Sequence, residues 1–109
     1  MAASRIEIFE QMLAGDPANT AVLFGLAKEY EKAGDETKLI ETLERYLAAA
    51  AADDEGNAYG MLARAYERSK QMEKARASYH RGIDVATAHG HPGMAEEYRE
   101  ILESEFSEP

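Results

Sequence analysis

Apolar positions recur with a helical period along almost the whole chain. Leu23, Leu26, Ala27 and Tyr30 stand at i, i+3, i+4 and i+7, and Tyr59, Leu62, Ala63 and Tyr66 repeat that spacing 36 residues later. Residues so spaced fall on one stripe of a helix. A second apolar stripe follows each: Leu39, Leu43 and Tyr46 after the first, Ala75, Tyr79 and Gly82 after the second. A two-helix unit therefore occurs twice. Ahead of it, Ser4-Arg5-Ile6-Glu7 reads as a capping box opening a helix that buries Ile6 or Ile8, Phe9, Met12 and Leu13. Behind it, residues 94–105 carry the stripe Met94, Tyr98, Ile101 and Leu102, with Glu96, Glu97, Glu100 and Glu103 on the other faces. No stretch alternates with period two. The pattern predicts an all-α chain of about six helices.

The punctuation predicts the boundaries. Gly15 is expected to end the first helix in the left-handed conformation, and Asp16-Pro17 to cap and start a second helix reaching Ala33. Gly34 stops it and Asp35 caps the next, which the alanine run 48–52 extends by a turn. Asp53 or Asp54 is expected to cap a helix from Glu55 to Ser69. Lys70 stands where Gly34 stands in the first copy, which predicts a turn of different construction. A fifth helix covers 72–88, and Gly90-His91-Pro92-Gly93 is the strongest break. The tail from Ser104 to Pro109 is expected to fray.

These residues resemble the tetratricopeptide repeat (TPR) family. Leu23-x-x-Leu26-Ala27-x-x-Tyr30 and Tyr59-x-x-Leu62-Ala63-x-x-Tyr66 match its first-helix pattern, and Ala75-x-x-x-Tyr79-x-x-Gly82 its second. Leu39-x-x-x-Leu43-x-x-Tyr46 departs from it, with large residues at two small positions. Small bacterial proteins built almost wholly of such repeats look the most similar. The resemblance implies a right-handed α-α superhelix (solenoid) of antiparallel helix pairs in one domain, 4–105. Its parts are an N-terminal half-repeat helix 4–14, repeats 18–52 and 54–88, a capping helix 92–105, and a frayed tail 106–109. It also implies that the first helix of each pair lines a concave groove. The groove candidates are Phe24, Lys28, Glu31 and Lys32 in the first pair and Asn57, Met61, Arg64, Glu67 and Arg68 in the second. Two apolar anchors among four cations suit an acidic segment with an apolar side chain. The lysine–asparagine clamp of chaperone-binding members is not reproduced, because Phe24, Lys28 and Met61 occupy its positions. The implied function is a non-catalytic scaffold that binds a peptide or protein segment. The alternative is a structural repeat protein that joins copies of itself. A monomer or weak homodimer is expected.

Charge narrows the partners. The net charge is −9, which argues against nucleic acid held by its phosphates. Through Glu55 there are 12 acids and 5 bases, from 56 to 82 there are 2 acids and 6 bases, and beyond that 7 acids and one base. A basic centre between acidic ends points to an acidic protein partner. With no cysteine, disulfides, thiolate metal sites and a cysteine nucleophile are excluded. No segment reads as a leader or a membrane span, so a cytoplasmic protein that does not engage membranes is expected. His89-Gly90-His91 near Glu96 and Glu97 matches no zinc spacing, so no metal and no cofactor are expected. Neither a glycine-rich phosphate loop nor a serine with a histidine–acid partner suggests catalysis.

Overall fold

The computed structural model describes residues 4–50 and 53–106. It contains six helices and, among the described residues, no strand: α1 (Arg5–Gly15), α2 (Thr20–Ala33), α3 (Glu36–Ala50), α4 (Asn57–Arg68), α5 (Met72–Ala88) and α6 (Pro92–Glu105). The chain forms two compact units, one holding α1–α3 and the other α4–α6.

In the first unit α2 is the middle helix, packed on α1 and on α3. The α2 stripe is buried as its spacing predicts, with Leu23, Leu26 and Ala27 all but inaccessible and Tyr30 nearly so. Leu39 and Leu43 of α3 are fully buried. Each such leucine contributes about 1.5–3 kcal/mol through removal from water. Phe24, early in α2, meets Tyr46, late in α3, with ring centroids 5.1 Å apart, so the two helices run antiparallel. On α1, Leu13 is buried and Ile6 and Phe9 are partly covered. Met12 and Ile8, which the sequence also offered for that stripe, are 49% and 45% exposed.

In the second unit α5 is the middle helix, packed on α4 and α6. Tyr59 lies beside Arg81 and Tyr66 beside Lys74, which makes α4 and α5 antiparallel. α4 is buried around most of its circumference: Ala58, Gly60, Met61, Leu62, Ala63, Ala65 and Tyr66 are all buried. Tyr98 of α6 lies over the surface formed by Gly60 and Gly82. A Cβ at Gly60 would fall 2.4 Å from its hydroxyl, and one at Gly82 would fall 2.8 Å from its ring. The Tyr98 hydroxyl donates to the Gly56 carbonyl at 3.0 Å. The small residues on α4 and α5 thus admit the aromatic ring that fastens the last helix.

Several helix ends differ from the sequence reading. Gly15 is not left-handed; it is the last residue of α1, and Asp16 N–H bonds the Met12 carbonyl. Asp16 does not cap α2. Asn19 does, its Oδ1 accepting from Val22 N–H at 3.1 Å while its amide donates to Asp16. Both residues are good caps, and the one nearer the helix takes the backbone while the other orients it. Likewise neither Asp53 nor Asp54 caps α4. Asp54 accepts from Gly56 N–H at 2.9 Å, holding a turn that delays the helix to Asn57. Pro92 and Gly93 form the first turn of α6, so the chain break is confined to the residues before Pro92. Asp35 does cap α3, accepting from Lys38 N–H. The alanine run is helical through Ala50; residues 51 and 52 lie outside the described residues.

The turn at Lys70 is a clearer correction. It has the same construction as the turn at Gly34. Gly34 N–H bonds Glu31 O and Asp35 N–H bonds Tyr30 O; Lys70 N–H bonds Glu67 O and Gln71 N–H bonds Tyr66 O. This is the Schellman pair, and it needs a left-handed residue. Lys70 takes it up at φ 64°, beside 75° at Gly34. The tail also differs from the sequence expectation. Ser104 and Glu105 are helical, and Phe106 is buried against Tyr79, 6.0 Å between centroids, beneath the Arg76 guanidinium. Residues 107–109 lie outside the described residues.

Candidate interaction surfaces

On α2, the buried stripe leaves Lys28 and Lys32 exposed on an adjoining face, with Phe24 partly covered between α2 and α3. Lys28 Nζ lies 5.5 Å from the Phe24 ring centre, an arrangement that holds the ammonium near an aromatic face. Lys32 Nζ is 3.7 Å from Glu29, which also takes Arg5 at 3.2 Å. Its charge is therefore partly balanced, while Lys28 sits beside the Phe24 ring. Glu31 is exposed. Below this face Tyr30 donates to Glu10 at 2.7 Å. Burial, then the bond to Glu10, push its hydroxyl from 10 up to about 12, so it is a fixed donor near neutrality.

On α4, Asn57, Arg64 and Arg68 are exposed. Met61 is not. It is 6% exposed, so it belongs to the packing and is withdrawn from the candidate face. Glu67 is also committed inward: it accepts from the Tyr79 hydroxyl at 2.6 Å. Burial and that bond raise the Tyr79 hydroxyl well above the ordinary phenol range. Glu105 lies near Glu67; its own desolvation, then the charge of Glu67, raise it. The exposed cations of the two helices correspond. Lys28 and Lys32 are an i, i+4 pair, and Arg64 and Arg68 are the same pair 36 residues on.

Sequence reasoning missed the cations of the second helices. Lys74 Nζ lies over the Tyr66 ring and the Arg81 guanidinium over the Tyr59 ring, each 5.8 Å from the ring centre. The signal was present, since Lys38 and Arg45 of the first repeat recur as Lys74 and Arg81 at the 36-residue spacing. In the first unit Lys38 and Arg45 border a polar recess of about 90 Å³ with Glu10, Tyr30, Glu41 and Thr42.

The histidine-rich break pairs differently from the reading that set it beside Glu96 and Glu97. His91 Nε2 bonds Glu55, and this bond, with the histidine's charge, holds the Glu55 carboxyl below its usual range. Glu96 instead pairs with Arg99 at 3.4 Å. Among the described residues no group of three histidine or carboxylate side chains is placed to hold a metal ion. Nor, among them, is any helix long and apolar enough to cross a membrane.

No family model matches the chain, and no solved structure matches it. A TPR repeat-containing protein of Pseudomonas aeruginosa is 32% identical to it over 85 residues, spanning 78% of this chain and 79% of that protein.

Proposed function

Because the chain belongs to the tetratricopeptide repeat family, we propose that it is a non-catalytic module in which each unit presents the exposed face of its first helix, α2 in one and α4 in the other, to a segment of another protein. The observation that carries this reading is the recurrence of one exposed cation pair beside one buried stripe. Lys28 and Lys32 flank the stripe of α2 as Arg64 and Arg68 flank that of α4. A repeated stripe is accounted for by packing. A repeated cation pair is not, and it offers carboxylates a bidentate arginine contact in one repeat and a point charge in the other. Phe24, held under Lys28, is the apolar contact on this surface. The occupant is accordingly an acidic segment.

The test is capture from a native lysate with Lys28→Glu and Arg64→Glu, singly and together. The double variant is expected to lose the natural partner with its helical circular dichroism unchanged. Equal recovery by the double variant would rule out a charge-steered face.

A second reading is self-association, favoured by the exposed Ile8 and Met12, an i, i+4 apolar pair on α1. Light scattering over a range of concentrations separates the two. A mass that rises with concentration and falls back on Met12→Glu supports self-association, and a constant monomer mass removes it.

A further inference from the structure

Three helices of this chain end in the same pair of turn hydrogen bonds, at Gly34, at Lys70 and at Gly90. The left-handed residue is glycine in two of them and lysine in the third, at φ 64°. A lysine there is strained where glycine is not. A strained residue that persists directs attention to its side chain. The Lys70 side chain borders an open recess of about 330 Å³, lined also by Gln71, Met72, Glu73 and Lys74. Met72 is 43% exposed there, one of the few large apolar side chains left in water. Lys74 and Arg81 follow at i and i+7 along one face of α5, about 10.5 Å apart at the helical rise. Each is laid on a tyrosine ring of α4. Of the acids near these cations, Glu67 is turned to Tyr79, Glu73 stands in the recess wall and Asp84 lies near enough to act on Arg81.

We propose that this edge, the α4–α5 turn and the Lys74–Arg81 face of α5, is a second docking surface, for an acidic peptide segment that carries an apolar side chain. The carboxylates meet Lys70, Lys74 and Arg81, and the apolar side chain lies against Met72. Charge complementarity selects the occupant, because the edge lies in the only basic stretch of an acidic chain. None of these cations lies on α2 or α4, so the inference does not rest on the first-helix reading.

The probe is a fluorescein-labelled peptide of glutamates around one leucine, followed by anisotropy on the full chain, with a lysine-for-glutamate peptide as control. Binding of the acidic peptide alone is expected, weakening as salt is raised. Lys70→Gly is expected to weaken it about threefold, the loss of one surface charge contact, while raising the unfolding temperature. Lys74→Gln with Arg81→Gln is expected to remove it at unchanged helicity. Lys28→Gln with Lys32→Gln should leave it intact. The proposal fails if Lys70→Gly binds as well as the parent chain, if only the Lys28 and Lys32 changes matter, or if the acidic peptide does not bind, whether or not sedimentation shows the chain pairing with itself.

Discussion

Gly60→Ala is expected to destabilise the second unit, although alanine is the better helix former. In the interior of α4 the exchange gains about 0.8–1.0 kcal/mol of helix propensity. Against that, the new methyl would lie 2.4 Å from the Tyr98 hydroxyl oxygen and 2.8 Å from the ring carbon bearing it. Tyr98 is only 4% exposed and cannot swing into water without leaving its place. Forcing a methyl into a packed site costs about 1–3 kcal/mol. Displacing the hydroxyl from the Gly56 carbonyl costs a further ~0.5–1.5 kcal/mol. The net expectation is a loss of about 2 kcal/mol, read from urea melts followed by circular dichroism. The decisive background is Tyr98→Ala. Without the ring the methyl has room, and Gly60→Ala should then stabilise by about 1 kcal/mol, its propensity alone. A reversal of sign is hard to obtain by accident. If Gly60→Ala costs nothing in the parent chain, or has the same effect in both backgrounds, Tyr98 is not seated on Gly60.

Phe106→Ala should cost about 2–3 kcal/mol in the same melts, below the usual loss for a central phenylalanine because the ring is at the end of its helix. Gly34→Ala should lose about 1–2 kcal/mol, since the left-handed turn tolerates no Cβ without strain. Lys70→Gly should move stability the other way by about the same amount. Stability should fall as pH rises from about 10 to about 12. The folded Tyr30 hydroxyl keeps its proton up to about 12, whereas the unfolded one loses it near the ordinary value, so the unfolded state is favoured progressively across that window. Tyr30→Phe should make this alkaline limb shallower, leaving the share due to the raised Tyr79 hydroxyl, and tyrosinate absorbance follows the titration. His91→Gln should let the Glu55 carboxyl return toward its ordinary range, followed by carboxyl NMR titration; an unmoved Glu55 would show the His91 contact to be absent in solution.

The helices and most of the packing were legible because burial imposes a period. The α2 stripe and its copy in α4 were readable from eight positions, and all eight but Tyr59, which is half-buried beneath Arg81, are buried. The capping errors are of another kind. Asp16 and Asn19 are both competent caps, and only the tertiary course of the chain decides which faces a helix end. The Lys70 turn is not legible from residue type, because the same bond pair forms there as at Gly34. Phe106 carried a readable signal, standing at i+4 from Leu102 and i+8 from Tyr98. Met61 did too. Between Asn57 and Tyr66 only Asn57 and Arg64 are polar, a composition that leaves a helix little face for solvent. The cation pairs of the first helices were visible as spacing. The tyrosine rings under Lys74 and Arg81 were not, since nothing local in the chain says that α4 lies beneath α5 at those points.

The most direct test of the binding reading is the amide NMR spectrum of the nitrogen-15-labelled chain with and without the acidic segment of a captured partner. Shifts concentrated on α2 around Lys28, on α4 around Arg64, or on both, and lost in the Lys28→Glu, Arg64→Glu chain, are the predicted result. A partner that binds fully while both helices keep their resonances unmoved would contradict it.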